Sequence, residues 1–368
     1  MSEQSVCYFE LQGTYFEMGR QMARLIDPAK VHFPAPPQYT TAYFEEAFRM
    51  YDACYPEIRE ELEGFSQESG IPVKEIAYSW MSYLVPRCCG LILTGKRMQD
   101  GHTRIARSYE FNLQDEDLTM FRTAPVGKYA HIGGSIVGFG RSEGINEKGL
   151  AVSMSSCGFP VSNMEGMRPP KIKGLEFWLA IRCLLENCAN VNEALERVRQ
   201  MPIAYNINLY LADREGNAVL FETMDGEQAF EQIDPSDKRQ FLCGTNHIAI
   251  RSFQNREPTA MHNSIVRYEK LSAFAEAKDR YEEAEIRDFL LKKYPDGMTA
   301  HYYSEGFGTI KSVVLDTVEN RFSICWLGEK ENGWQDYYVD QTPGNRVEEK
   351  RVTEENPTPE FFAQQPIP

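Results

Sequence analysis

The chain changes character at Val85-Pro86-Arg87-Cys88. Ahead of this point the pattern is mostly helical. Behind it, short strand-like runs separated by tight turns dominate. Any fold must therefore join a helix-rich N-terminal segment to a larger strand-rich body. Residues 5–12 read as a short strand. Gly13 to Leu25 reads as a turn and an amphipathic helix with Tyr15, Met18, Met22 and Leu25 on one face. The stretch Phe33-Pro34-Ala35-Pro36-Pro37 interrupts helix, residues 41–69 are helical with a break near Pro56, and a shorter helix is expected over about 73–83 after Gly70-Ile71-Pro72.

Beyond the boundary, Cys88 to Thr94, Thr103 to Tyr109 and Gly149 to Ser155 read as strands. Asp100-Gly101 is a hairpin signal and Asn146-Glu147-Lys148-Gly149 a turn. Helices return over about 172–188 and 191–200. A hairpin joins Asn206–Ala212 to Ala218–Glu222, and residues 240–246 form another strand. Helices over 261–277 and 283–293 lead to a final hairpin of Thr309–Leu315 with Arg321–Trp326. The charged, Pro-rich tail after Val347 is expected to be loosely ordered. The fold class is α+β, with layered sheets flanked by helices.

Length and charge narrow the function. A chain of 368 residues has a prior of two domains at about 150 residues each, and 42% apolar residues supply a substantial core. Lys and Arg number 39 against 54 Asp and Glu, a net charge of −15. That balance repels phosphate backbones and anionic membranes, so neither nucleic acid nor membrane is an expected partner. The first residues have no basic and apolar signal pattern, and no apolar run approaches the roughly 20 residues of a spanning helix. Nine cysteines without a Cys-x-x-Cys pair, beside six scattered histidines, argue against a disulfide framework and a structural zinc site. The expectation is a cytoplasmic protein with reduced thiols, no cofactor and a small-molecule partner, homo-oligomerisation being left open.

Four places offer chemistry. Cys88-Cys89 opens a strand at the boundary; taken alone, such residues are small, inert core groups. Gly140-Arg141-Ser142-Glu143-Gly144 matches the Gly-x-Ser-x-Gly pattern of serine hydrolases. That elbow needs a strand-to-helix turn, and here a turn and another strand follow, so Ser142 reads as an ordinary strand residue. Thr245-Asn246-His247 follows a strand. Arg267 lies on a helix, where a solvated or ion-paired arginine is the usual finding.

In order along the chain, Cys88-Cys89-Gly90-Leu91 leads to Ala106-Arg107-Ser108-Tyr109-Glu110, then to Gly144-Ile145-Asn146-Glu147-Lys148-Gly149, Leu211-Ala212-Asp213, Thr245-Asn246-His247, Ser264-Ile265-Val266-Arg267 and Thr309–Asp316. Gly13-Thr14-Tyr15-Phe16-Glu17-Met18-Gly19 precedes them. This ordered set resembles the N-terminal nucleophile (Ntn) hydrolases of the choloylglycine hydrolase, penicillin V acylase and isopenicillin N acyltransferase group, which act on linear amide C–N bonds. The resemblance spans nearly the whole chain. It implies a four-layer αββα sandwich and a precursor cut before the nucleophile, dividing the chain into a mostly helical segment 1–87 and an Ntn domain 88–368.

The resemblance also implies roles. Cys88 would attack an amide carbonyl and form an acyl-thioester, which water or an amine resolves. Arg107 would favour the thiolate, Glu110 would orient the new α-amine where relatives carry Asp, Asn246 would donate to the oxyanion, and Arg267 would anchor the polar network. Chemically, a free α-amine titrates near about 7.7–8.0 and accepts a thiol proton, whereas a peptide nitrogen cannot, because its lone pair is delocalised. Strand neighbours face opposite sides, so one of Cys88 and Cys89 points into the site; the Cys-x-Gly-Leu register favours Cys88. The rival expectation is an unprocessed, non-catalytic binding protein on the same fold, motivated by Arg87 and by Glu110 in place of Asp. A serine esterase using Ser142 is a third.

Overall fold

In the computed structural model, which describes residues 2–32, 40–76, 87–159, 161 and 168–368, the run Arg87–Leu93 is a strand whose side chains beyond Arg87 are all buried. A strand covered on both faces needs a layer on each side, and the chain supplies both. The larger sheet has nine strands, in the order β10 (Glu227–Gln232), β9 (Ala218–Met224), β8 (Ile207–Ala212), β7 (Ala151–Ser156), β6 (Gly140–Asn146), β5 (His131–Ile136), β4 (Thr119–Pro125), β1 (Ser2–Gly13) and β17 (Arg346–Val352). The smaller runs β11 (Phe241–Gly244), β2 (Arg87–Leu93), β3 (Arg104–Phe111), β14 (Phe307–Asp316), β15 (Arg321–Trp326) and β16 (Gln335–Tyr338), with β13 (His301–Tyr302) paired to β14. A separate ribbon joins β12 (Thr259–Met261) to β18 (Gln364–Pro366).

The two sheets pack face to face through β2, β3 and β11 against β7, β8 and β9. Helices α4 (Phe177–Asn187) and α5 (Val191–Val198) cover the outside of the larger sheet, while α6 (His262–Glu276) and α7 (Glu283–Leu290) cover the smaller one. The layer order is αββα, as expected. Side chains of β2 sort by parity: Cys88 and Ile92 join the core between the sheets, whereas Cys89, Leu91 and Leu93 join the core under α6 and α7. Gly90 is required by a close approach, since a Cβ there would lie 2.6 Å from the Tyr210 ring.

The N-terminal segment is built into this body. Strand β1 is hydrogen-bonded parallel to β4 and antiparallel to β17, inside the larger sheet. Helix α1 (Tyr15–Leu25) starts at a Thr14–Glu17 capping box. Helices α2 (Thr41–Cys54) and α3 (Glu57–Ser69) are separated at Pro56, and α3 stops at the left-handed Gly70. Arg182 on α4 donates to Glu61 on α3 at 3.0 and 2.5 Å and to Glu186 at 2.9 Å, and Glu186 accepts from Tyr15 at 2.6 Å and from Tyr55. All five side chains are buried. Breaking such a buried pair costs about 3–5 kcal/mol, so the segment is anchored by charge as well as by sheet pairing.

The tail after Val347 is ordered, not loose: β17 pairs with β1 along its length, and Phe361 is fully buried against Tyr294, Tyr302 and Phe307. An aromatic anchor at the end of a polar, Pro-rich stretch outweighs its composition. Strand β5 lies outside the periodicity reading because His-Ile-Gly-Gly-Ser-Ile holds few strand formers; β4 lies outside it too, whereas the Gly140–Gly144 stretch reads as strand and is part of β6. Of the short helix expected over 73–83, Val73–Glu75 is a 3-10 turn; residues 77–83, like Phe33 to Pro37, lie outside the described residues.

Helices α1 and α3 touch through backbone. A Cβ on Gly19 would lie 2.0 Å from the Glu61 carbonyl oxygen. Gly19→Ala gains about 1 kcal/mol of helix propensity but meets a backbone atom that cannot rotate away, an overpacking cost of about 1–3 kcal/mol. The variant should be less stable than the parent, read as a lower urea midpoint with unchanged slope.

Candidate active site

The five residues singled out from the sequence are joined by hydrogen bonds. Cys88 is fully buried with Sγ between the sheets, and the Arg107 Nη2 donates to it at 3.0 Å. The Cys88 backbone N–H donates to Asn246 Oδ1 at 3.3 Å. The same oxygen accepts from Arg267 Nη2 at 2.7 Å, and Arg267 Nη1 is 3.2 Å from Glu110 Oε2. Asn246 follows β11, which is paired with β2, and Arg267 is on α6, packed over β2 and β11. Cys89 points the other way, with its thiol 3.4 Å from Met298 Sδ. Of the two thiols, Cys88 alone contacts the polar network.

The cross-strand register explains the convergence. Cys88 on β2 lies opposite Tyr109 on β3, and Tyr109 lies opposite Lys311 on β14, so three strands aim one row of side chains at the larger sheet. Arg107, two residues before Tyr109, shares that face. Glu110 shares the opposite face with Cys89 and lies across from Arg87. It is thus a neighbour of the residue ahead of the nucleophile, and it accepts from Ser108 as well as Arg267.

Asn246 is fixed at both ends. Its Nδ2 donates to the Ser156 carbonyl at 2.9 Å and to Ser156 Oγ at 3.2 Å. Its backbone N–H donates to Ser264 Oγ at 2.9 Å. With the chain uncut, the amide oxygen therefore faces the Cys88 nitrogen and the amide nitrogen faces Ser156. Freeing an N–H for an oxyanion requires releasing Ser156.

Burial dominates the electrostatics. It pushes the Cys88 thiol up to about 11 against the pull of Arg107, so the thiol of the uncut chain is protonated at neutral pH. It pushes the Glu110 carboxyl up to about 7 against Arg267. Burial also opposes ionisation of Glu143, but Lys311 and Arg107 hold that carboxyl below its ordinary value. The sequence reading missed Glu143 and Lys311. Nothing local marks them, because they come from β6 and β14 and meet only when the sheets pack.

Ser142 is a buried strand residue, as expected, and it belongs to β6 with no helix following. Its carbonyl accepts from Arg107 at 2.6 Å. Among the described residues, Asp100, His102 and Asp316 bring metal-type ligand atoms within 4.8 Å of one another. Arg104 Nη2 lies 2.6 Å from Asp100 and 2.7 Å from Asp316, so a guanidinium already balances that charge. No helix among the described residues is long and apolar enough to cross a membrane. A cavity of about 310 Å³ is bordered by Arg87 and Asn246 at the network and by Phe159, Arg168, Glu257 and Met261 further out.

The family model described as acyl-coenzyme A:6-aminopenicillanic acid acyl-transferase matches residues 97–331, a span that holds Arg107, Glu110, Asn246 and Arg267 and begins after Cys88. No curated protein matches the chain in sequence. Among solved structures, penicillin V acylase from Agrobacterium tumefaciens is similar at 16% identity and a TM-score of 0.44, covering 65% of this chain and 83% of that one. Conjugated bile acid hydrolase from Clostridium perfringens is similar at 12% identity and a TM-score of 0.44, covering 73% of this chain and 97% of that one.

Glu110 gives a pH test of this geometry. Its carboxyl titrates at about 7 in the folded chain against 4.5 ordinarily. The folded state therefore holds this proton more tightly, and the stability it contributes is full below pH 4.5 and falls as pH rises toward about 7. Glu110→Gln, compared with its parent in uncut Cys88→Ala chains, should gain relative stability across that window by at most about 1.4 kcal/mol per pH unit. Urea unfolding at several pH values reads this; parallel curves for the two chains would contradict it.

Proposed function

The chain belongs to the acyl-coenzyme A:6-aminopenicillanic acid acyl-transferase family, and from that premise we propose that it is activated by cutting itself between Arg87 and Cys88 and then uses Cys88 as its nucleophile. It is an Ntn-type amide hydrolase or acyltransferase acting on linear amides. The observation that carries the finer reading is the network itself: Cys88 has its sulfur on Arg107 and its nitrogen on Asn246, and Arg267 ties Asn246 to Glu110.

Self-cleavage takes the following course. Cys88 Sγ adds to the Arg87 carbonyl carbon, and the thiol proton passes to the peptide nitrogen as the C–N bond breaks. The products are an Arg87 thioester on Cys88 and a free α-amine on the same residue. Water hydrolyses the thioester, leaving Arg87 as a carboxylate and restoring the thiol. This supplies what the uncut site lacks. A thiol pushed up to about 11 stays protonated at neutral pH, and the new amine on the same residue, ordinarily near about 7.7–8.0, takes the proton. The amine remains beside Asn246 Oδ1, which accepts from this nitrogen before the cut. Orienting the amine is thus the role best supported for Asn246, joined by oxyanion donation if Ser156 releases its N–H.

In the working enzyme, Cys88 adds to the substrate amide carbon. The amine returns the proton to the leaving nitrogen, and an acyl-thioester remains. Water then gives hydrolysis, or a second amine gives transfer. Removing one oxyanion donor costs about 2.7–4 kcal/mol of barrier stabilisation. Because β1 lies within the larger sheet and Glu61 pairs with Arg182, segment 1–87 stays bound after the cut.

Intact mass of the purified protein tests this reading. Two fragments are expected, with Cys88 at the new N-terminus, co-eluting until denaturant is added. Cys88→Ala should leave one chain with no turnover, whereas Cys89→Ala should still cut. A wild-type chain that stays whole, with a Cys88 thiol inert to iodoacetamide, would instead favour the non-catalytic binding protein. Turnover is read on a panel of acyl amides that includes penicillin V, conjugated bile acids and N-acyl amino acids.

A further inference from the structure

We propose that Glu143 and Lys311 are positioning residues for the reaction: Glu143 locks the Arg107 guanidinium onto Cys88 Sγ, and Lys311 supplies a second buried cation, so that the cluster carries one net positive charge which a Cys88 thiolate cancels. This rests on the reading of Cys88 as nucleophile and concerns what prepares its sulfur.

The geometry is that of a clamp. Arg107 Nη1 donates to Glu143 Oε2 and, at 2.6 Å, to the Ser142 carbonyl, which leaves Nη2 for Cys88 Sγ. Lys311 Nζ lies 3.2 Å from Glu143 Oε1 and donates to Ser142 Oγ at 3.0 Å. Arg107, Glu143 and Lys311 are all buried, and both cations lie over the Tyr109 ring. Buried charge without a nearby counter-charge is costly. Arg107 and Lys311 share the one Glu143 carboxylate; burial pushes the further carboxyl near Lys311, Glu116, up to about 7, and the group able to become an anion that Arg107 itself touches is the Cys88 thiol.

Irregular strands create this arrangement. The β5–β6 register shifts between Gly134 and Ser135, leaving Ser142 as an extra residue on β6. The β14–β3 register shifts between Thr309 and Lys311, leaving Ile310 extra on β14. Bulges re-aim side chains, and these two deliver Glu143 and Lys311 to the same point from opposite sheets. The Gly-x-Ser-x-Gly stretch, idle as a serine elbow, thus contributes its Ser142 carbonyl and its Glu143.

Other charged or titratable groups face the thiol. From β3 come Tyr109 and Glu110 as well as Arg107, Arg87 precedes the thiol on β2, and Tyr210 comes from β8; Glu116, beyond β3, lies by Tyr109 and Lys311. Glu110 opposes the thiolate, as does Glu143 once Arg107 is set aside. The charge-altering variants below leave all of these in place.

The test is the pH dependence of Cys88 alkylation by iodoacetamide, located by peptide mapping in the purified protein. Lys311→Met removes a cation and should move the midpoint up by about one pH unit or more. Glu143→Gln keeps an acceptor for Arg107 but removes an anion, and should move it down. Lys311→Arg keeps the charge and should keep the wild-type midpoint. Packing alone gives no opposed shifts, so equal or same-direction shifts in the first two variants overturn the proposal. Should either variant fail to fold by its thermal melt, the other with Lys311→Arg decides. If Cys88 of the wild type is itself inert, the nucleophile reading fails first, and the positioning role with it.

Discussion

The guanidinium of Arg107 holds the molecule's two halves to one task. It is buried between the sheets, with one nitrogen on the Cys88 sulfur from its own sheet and the other on Glu143 and the Ser142 carbonyl from the facing one. A planar group with fixed donor directions is suited to such a bridge. Sliding one sheet against the other would leave a buried charge unmatched, so sheet packing and sulfur chemistry constrain each other.

A second buried polar network does comparable work on the helix-covered outer face of the larger sheet. Glu61 on α3, Arg182 and Glu186 on α4, Tyr15 on α1 and Tyr55 between α2 and α3 satisfy one another where the N-terminal segment meets the body. Together with β1 inside the sheet, this makes residues before Cys88 part of the architecture. A cut at Arg87–Cys88 would alter the chemistry at one nitrogen while leaving the packing intact. Under the proposed cut, the chain would fold first as a whole and acquire its base afterwards.

Local pattern served well where it had a local cause. Helix α1 follows from the period of Tyr15, Met18 and Met22, the α2–α3 break from Pro56, and the β8–β9 hairpin from its Asp213–Gly216 turn. It failed where tertiary contact overrides composition. The tail is held by Phe361 and by pairing of β17 with β1, and β5 is a strand despite its glycines, because β4 and β6 on either side complete its ladders. The site divides the same way. Cys88, Arg107, Glu110, Asn246 and Arg267 stood out through ordered short motifs, whereas Glu143 and Lys311 carried no such mark.

By itself, then, the sequence determined the kinds of element, their order and the residue types able to carry thiol chemistry, since these depend on neighbours a few positions apart. Only the tertiary structure decided which cysteine faces the network, which way the Asn246 amide turns and which charges surround the sulfur. Those outcomes depend on strand register, on two bulges and on one sheet lying over another, and no residue encodes such distant geometry alone.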